Sequence, residues 1–259
     1  MGKMNLRFNG ILAQNYSSPS QKIRVLTEDW VRRSIFCPNC GNLEIKKYRD
    51  GKPVADFYCE SCKEDYELKS KKGLMGDKVI DGAYRTMLER LTSNNNPNFF
   101  LLDYDLLNLE VSNLVVIPKY YFVPNIIERR KPLSLTARRS GWVGCNILLK
   151  DIPQSGKIYF IKNKIAEKKE NVIRNWKKTL FLKEEKEISA KGWLLDVMKC
   201  IERIGDGKFT LDKVYKFESI LKEKHPENKH IKDKIRQQLQ VLRDRGYLKF
   251  ISRGRYSLK

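Results

Sequence analysis

Histidine is almost absent from this chain of 259 residues: there are two, His225 and His230, and both lie near the C-terminal end. Catalysis that needs an imidazole beside a nucleophile is poorly served by such a pattern. There is no Gly-Lys-Ser/Thr phosphate loop either, which excludes nucleotide hydrolysis by that device. Cysteine is sparse as well. Six in a chain of this size cannot build a disulfide scaffold, and four of them fall in CxxC pairs, a usage expected where thiols stay reduced, so the expected compartment is the cytoplasm. No apolar run approaches the length of a membrane span. The first residues, MGKMNLRFNGILAQN, carry charges inside any apolar core, and Leu6 stands where a myristoylation signal needs Ser or Thr. A membrane partner is therefore not expected.

Acidic residues are the other shortage. Against 52 Lys and Arg there are 31 Asp and Glu, a net charge of +21 with a sequence pI near 9.7. Such an excess points to a polyanion, with nucleic acid ahead of a membrane surface. The length suits two ordinary domains, each with its own core. The expected division is 1–185 and 186–259, with the charged run KEEKE at 183–187 as the linker.

Along the first part, Pro19 to about Ile35 reads as an amphipathic helix with Ile23, Leu26, Trp30 and Val31 on one side, and Glu28 as an exposed helical carboxylate. Some nucleases use an acidic residue of the first helix as a metal ligand, which is the other reading of Glu28. Tyr48 to Gly51 reads as a turn, Val54 to Tyr58 and Tyr66 to Ser70 as a strand hairpin, and Asp77 to Leu91 as a helix. Phe99 to Tyr104 and Asn113 to Ile117 are short apolar strands fit for a buried sheet. From Pro118 to Pro153 the periodicity fades into loops. Lys157 to Lys162 reads as a strand, and Asn171 to Phe181 as a helix with Trp176 inward. The fold class expected is α/β: a mixed sheet with helices against it.

The second part reads as helices from Trp193 to Ile204, Leu211 to Leu221 and Lys229 to Arg245, then strands Tyr247 to Ile251 and Tyr256 to Leu258 around the turn Ser252-Arg253-Gly254-Arg255. Three helices closed by a β-hairpin describe a winged helix. From Asn228 to Lys259 there are ten Lys and Arg against two Asp and Glu, which marks the third helix and hairpin as the electropositive surface.

Cys37-x2-Cys40 and Cys59-x2-Cys62, 18 residues apart, have the spacing of a four-cysteine zinc site. With thiolates in all four positions such an ion has no vacancy for water, so its expected role is structural. Cys145 and Cys200 are expected in the core. Between and after the pairs, PVAD56 and Glu67-Leu68-Lys69 follow a relaxed PD-(D/E)xK pattern. Two carboxylates on neighbouring strands, Asp56 and Glu67, with the carbonyl of Leu68, offer the hard oxygens that Mg2+ takes. Lys69, two residues beyond Glu67, shares its face of the strand and is placed to orient or deprotonate a water. By itself the pattern is equally compatible with surface charges on a hairpin; the apolar strand before Glu67 and the basic chain favour the metal-dependent nuclease.

For DNA contact, the third helix of the second domain presents Lys232, Arg236, Gln237 and Gln240, either to base edges and phosphates or simply to solvent. Arg253 and Arg255 on the hairpin turn suit phosphates. Arg138, Arg139 and Trp142 mark a loop of the first domain that could enter a groove, although Trp142 fits a core equally well. A reading from another class is a zinc-ribbon and winged-helix transcription regulator that binds DNA without cutting it; the ELK run and the length of the first domain argue against it.

The runs QKIRVLTEDWV, CPNCG, PVADFYC, ELKSKKG, NNPNFF, ARRSGWVGCNI, FTL, YKFES and HIKDKIRQQLQVLRD, taken together and in order, resemble the methyl-directed (type IIM) restriction endonucleases. The resemblance spans nearly the whole chain and is weaker at the termini and from 150 to 190. It implies a zinc-containing PD-(D/E)xK nuclease domain followed by a winged helix, cutting both strands of double-stranded DNA at GATC with N6-methylated adenine, using Mg2+. It also implies Asp56, Glu67 and Lys69 as catalytic residues, the four cysteines as zinc ligands, and Trp142 near the modified base pairs. A monomer in solution is expected. How one active centre cuts two strands stays open between transient pairing of molecules on DNA and sequential nicking.

Overall fold

The computed structural model describes residues 4–49, 51, 55–93 and 95–259, arranged as two compact units: Met1–Leu149 with Ser155–Thr179, and Lys150–Gln154 with Leu180–Lys259. The expected turn at 48–51 and the first residue of the expected strand at Val54 fall partly outside the described residues. No helix among the described residues is long and apolar enough to cross a membrane.

The first unit opens with α1 (Pro19–Ser34), started by Pro19 in the first turn, where a missing N–H costs nothing. Its inner side buries Leu26, Trp30 and Val31 as expected, but also Thr27 and Glu28. Glu28 is 4 % exposed, which corrects the reading of it as a solvated helical carboxylate. Then follow β1 (Lys46–Lys47), β2 (Phe57–Tyr58), β3 (Asp65–Lys72), β4 (Lys78–Ala83), α2 (Tyr84–Thr92), β5 (Asn98–Asp105), β6 (Glu110–Ile117), β7 (Ile127–Arg129), β8 (Gly144–Leu148), β9 (Ile158–Lys162), β10 (Ile165–Ala166) and α3 (Lys169–Lys177).

Seven strands form one mixed sheet in the order β1-β2-β3-β5-β6-β9-β10. Its pairs are antiparallel except β3 with β5, which run parallel. A parallel pair needs a crossover. Here the crossover is the segment from 73 to 97, and it contains β4 and α2. β5 is buried from Asn98 to Tyr104, which is why its sequence is a nearly unbroken apolar run rather than an alternation. Trp30, Tyr66, Phe99, Phe100, Tyr121, Phe160 and Trp176 are among the largest fully buried side chains.

The helix expected from Asp77 to Leu91 is half strand. Residues Lys78–Ala83 pair with Gly144–Leu148, and β8 pairs in turn with β7, so a second sheet of order β4-β8-β7 forms where helix and loop were expected. In β4 the apolar Ile80 is 64 % exposed and Asp81 is buried. The polar residue points in and the apolar one out, an inversion that hydrophobic periodicity cannot register.

The second unit comprises α4 (Ile188–Ile204), β11 (Lys208–Thr210), α5 (Leu211–Tyr215), α6 (Glu218–Lys224), α7 (Ile231–Asp244), β12 (Leu248–Ser252) and β13 (Arg255–Leu258). α4 begins five residues before the expected Trp193, and the expected helix 211–221 is broken at Lys216-Phe217 into α5 and α6. Gly205 closes α4 with φ +76°, a left-handed cap that suits glycine. α7 buries Ile231, Ile235, Leu239 and Leu242 as its apolar stripe. The hairpin gains a third strand, in the order β11-β13-β12, which completes a winged helix.

Candidate active site

The four cysteines meet as their spacing requires. Their Sγ atoms all lie within 4.8 Å of one another, with Cys37–Cys62 and Cys40–Cys59 each at 3.5 Å. Sulfurs about 3.8 Å apart are what a tetrahedron with Zn–S of about 2.3 Å requires, so the set fits zinc. The two turns are built alike: Gly41 donates its N–H to the carbonyl of Cys37, and Lys63 donates to that of Cys59. Both turn residues have positive φ, +79° at Gly41 and +61° at Lys63. Burial pushes the Cys37 thiol up. At Cys59 burial also pushes up, but the Cys62 amide, the Cys40 thiol and the Ser61 amide together outweigh it and bring the thiol down to about 7. Tyr66 at the start of β3 places its OH 3.2 Å from Cys37 Sγ and stacks on Phe100 at 4.8 Å. Through Tyr66 the thiolate cluster is joined to the strand that carries Glu67. Cys145 and Cys200 are buried thiols that burial raises to about 11 and about 12, in keeping with core positions.

Asp56 precedes β2, and its backbone is fixed to both neighbours: its N–H donates to Tyr66 and its carbonyl accepts from Tyr48, at 2.9 and 2.8 Å. Its Oδ2 accepts the Leu68 N–H at 2.7 Å. On β3, Tyr66 and Leu68 therefore turn their peptide groups toward Asp56, and the Leu68 carbonyl shares that edge by strand alternation. Burial raises the Asp56 carboxyl above its ordinary value against the pull of the Leu68 amide, and the Glu28 carboxylate adds to the rise. Glu28 itself is held by Arg24 at 2.6 Å and Lys47 at 2.8 Å.

Glu67 and Lys69 occupy the same face of β3, as their spacing dictates. Lys69 Nζ lies 2.6 Å from Glu67 Oε1 and 2.6 Å from Asp81 Oδ1. Burial pulls the ammonium down, yet the Glu67 and Asp81 carboxylates outweigh it and hold Lys69 above its ordinary value. Glu67 is raised by burial, with Lys69 opposing and Asp81 and Asp56 adding to the rise. Its Oε2 is buried with no hydrogen-bond partner, and Arg90 Nη1 stands 3.8 Å away. A buried carboxylate oxygen left without a donor is costly unless a cation or water meets it. Asp56 Oδ, Glu67 Oε2 and the Leu68 carbonyl are hard oxygens of the kind a divalent cation takes.

Sequence spacing thus brought Asp56, Glu67, Leu68 and Lys69 to one place. It did not find Asp81, which arrives on β4, nor the burial of Glu28, nor Arg90 on α2. No local motif marks these three; a strand assignment for 78–83 was the missing signal.

The remaining candidates fall into two surface groups, one on each unit. In the first unit Arg138 and Arg139 are exposed, and the Arg139 guanidinium lies 4.5 Å over the ring of Trp142. Trp142 is half-buried, neither a core residue nor a free one. Its ring covers Gly144, where an added Cβ would come within 2.8 Å, so glycine makes the seat for the indole. In the second unit Lys232, Arg236, Gln237 and Gln240 all lie exposed along α7, on the side opposite its buried stripe. Arg253 and Arg255 are exposed at the hairpin turn. Tyr215 of α5, absent from the sequence reading, organises the α7 cations: Arg236 Nε donates to its hydroxyl, and Lys232 lies 5.6 Å from its ring centre.

Comparison with known families matches two successive parts of the chain. A model described as the Dam-replacing family covers residues 4–185, and one described as the Dam-replacing HTH domain covers residues 189–258. The chain accordingly belongs to the Dam-replacing family of DpnI, and is a methylation-dependent restriction endonuclease with a DNA-binding winged helix-turn-helix domain.

Proposed function

We propose that the chain hydrolyses phosphodiester bonds in both strands of DNA at GATC containing N6-methyladenine, with Asp56, Glu67 and Lys69 as its catalytic residues. The observation that carries this assignment is the buried Glu67 Oε2, which accepts no hydrogen bond, on the strand whose Leu68 amide holds the Asp56 carboxylate and whose Lys69 ammonium meets Glu67 Oε1. Asp56, Glu67 and the Leu68 carbonyl would hold Mg2+, which when bound supplies an activated water and offsets charge building on the phosphate. The chain's own groups have distinct tasks. The Leu68 amide fixes the Asp56 carboxylate, so its free oxygen is aimed before substrate arrives. Lys69, held protonated between two carboxylates, serves to orient the attacking water and meet negative charge rather than to take the proton. The four cysteines would hold a structural zinc with no catalytic part.

For the sequence GATC, Arg reads guanine and Gln reads adenine in the major groove, where the N6-methyl also projects. Arg236, Gln237 and Gln240 on the exposed face of α7 supply those chemistries, Lys232 with Arg253 and Arg255 suit phosphates, and Arg138, Arg139 and Trp142 form a contact surface on the first unit. The cysteine usage, with four of six thiols in CxxC pairs, supports a cytoplasmic location. Family membership speaks for cleavage and against the non-cutting regulator.

Incubation of adenine-methylated and unmethylated plasmids with the protein and Mg2+ tests the reading. Cleavage of the methylated plasmid alone, at GATC, is expected; no cleavage with binding retained would sink it. Asp56→Ala should abolish cutting while the circular dichroism spectrum is unchanged.

A further inference from the structure

Lys69 has a second carboxylate partner that the PD-(D/E)xK pattern does not contain. Asp81 Oδ1 lies 2.6 Å from Lys69 Nζ, the same distance as Glu67 Oε1 on the other side. The Asp81 side chain is 6 % exposed and that of Lys69 22 %, so water screens this contact little. Asp81 is delivered by a different sheet, through its pairing with Cys145 and a register shift between Asp81 and Ala83, the kind of bulge that re-aims a side chain. Among the described residues no other cation lies within ion-pair distance of Asp81. A carboxylate this buried is tolerated only when paired, and its partner is the lysine of the proposed catalytic group.

We infer that Asp81 is a positioning residue, which holds the Lys69 ammonium from behind and so leaves Glu67 free to give its carboxylate to a divalent cation. The inference rests on the nuclease reading of Asp56, Glu67 and Lys69. Without Asp81, Glu67 is, among the described residues, the remaining carboxylate within ion-pair distance of Lys69 Nζ, and ammonium and metal compete for it. With Asp81 in place, Lys69 keeps its counter-charge and its position when Glu67 is engaged.

The test is a titration of Mg2+ alone into the full-length protein by calorimetry, paired with kcat, KM and half-saturating Mg2+ for cleavage of methylated GATC DNA. In Asp81→Asn the Mg2+ dissociation constant should rise by about ten- to a hundredfold and kcat fall by a similar factor, as when other outer partners of metal ligands are removed. KM for DNA should stay as in the wild type. Asp81→Glu, which keeps a charge for Lys69, should recover most of the Mg2+ affinity. In a Lys69→Met background Asp81→Asn should have no further effect, because a residue that acts through Lys69 has nothing left to act on. Wild-type Mg2+ affinity and kcat in Asp81→Asn overturn the inference. So does a loss that persists undiminished in Lys69→Met, which would make Asp81 a direct metal ligand. If Asp81→Asn alone fails to fold, Lys69→Met with and without Asp81→Asn, together with Asp81→Glu, carries the same comparison. A wild type that binds Mg2+ in an Asp81-dependent way but cuts nothing sinks only the nuclease reading; one that cuts with Asp81-independent metal affinity sinks only this inference.

Discussion

Asp196 shows how one buried charge ties a unit's stability to pH. It lies on the inner side of α4, 8 % exposed, and is met by Lys224 and by His225 Nε2 at 2.9 Å, while the His225 ring stacks on Trp193 at 3.8 Å. Burial pushes its carboxyl up, but the His225 hydrogen bond and the Lys224 charge outweigh that and leave it below the ordinary value of 3.8. A carboxyl depressed in the folded state contributes stability that is complete above its unfolded pKa and is lost as pH falls through the folded one. The second unit should therefore lose stability on acidification below about pH 4, the ordinary range for Asp. Asp196→Asn should flatten that loss while lowering stability at neutral pH by about 3 kcal/mol, the scale of breaking a buried ion pair. Trp193 fluorescence in urea titrations from pH 3 to 7 measures both, and an unchanged pH profile in Asp196→Asn would refute the assignment. At the proposed active site the balance is reversed. Asp56 and Glu67 are raised by burial, so their charged forms are held there at a cost, which fits groups kept for a cation rather than for stability.

Among the elements, the thiolate cluster and β3 form the part on which the site depends. Cys59 follows β2 directly, Asp56 precedes it, and Tyr66, the neighbour of Glu67, reaches Cys37 through its hydroxyl. If zinc occupies the cluster, its binding supplies roughly 10 kcal/mol or more, comparable with the whole stability of a domain. Removal of zinc by a chelator should therefore lower the first unit's melting temperature, loosen Asp56 and abolish cleavage, and re-addition of zinc should restore both. Metal analysis that finds no zinc in the purified protein would refute this. The helices α1 and α7 were legible in the sequence because each repeats its apolar residues at the helical period, and β5 and β6 because each is a short apolar run of strand length. The cysteine spacing was legible because two short turns and one ion set it. β4 was not, because the pairing of Lys78–Ala83 with β8 overrides a local pattern that fits a helix, and the side chain it turns toward Lys69 is the polar Asp81. β8 was hidden for a related reason: Gly144–Leu148 is a five-residue strand within a long irregular stretch, too short to show a period. Side chains that share one face of a strand can be read from spacing; a partner brought by the crossover needs the tertiary structure.

For the whole molecule, charge governs the encounter with DNA. The net charge of +21 is distributed over both units, but the exposed cations of α7 and the hairpin, Lys232, Arg236, Arg253 and Arg255, lie on one 28-residue stretch from 232 to 259 that has few acidic residues. Each phosphate neutralised by such a cation releases a counterion, so the logarithm of affinity falls with the logarithm of salt with a slope of about −0.9 per contact. Three phosphate contacts from this stretch, at Lys232, Arg253 and Arg255, imply a loss of roughly fortyfold between 50 and 200 mM salt, before any contribution from the first unit. Arg253→Ala with Arg255→Ala should reduce the slope by about two and weaken methylated and unmethylated DNA alike, because phosphate contacts carry no sequence information. Gln237→Ala or Gln240→Ala should instead leave the slope unchanged and narrow the difference between GATC and other sequences by about 1–3 kcal/mol per lost base contact. Fluorescence anisotropy with labelled duplexes over a salt series separates the two classes. A hairpin variant that alters sequence preference without altering the slope would show that the turn reads bases, and would move the recognition surface from α7 to the wing.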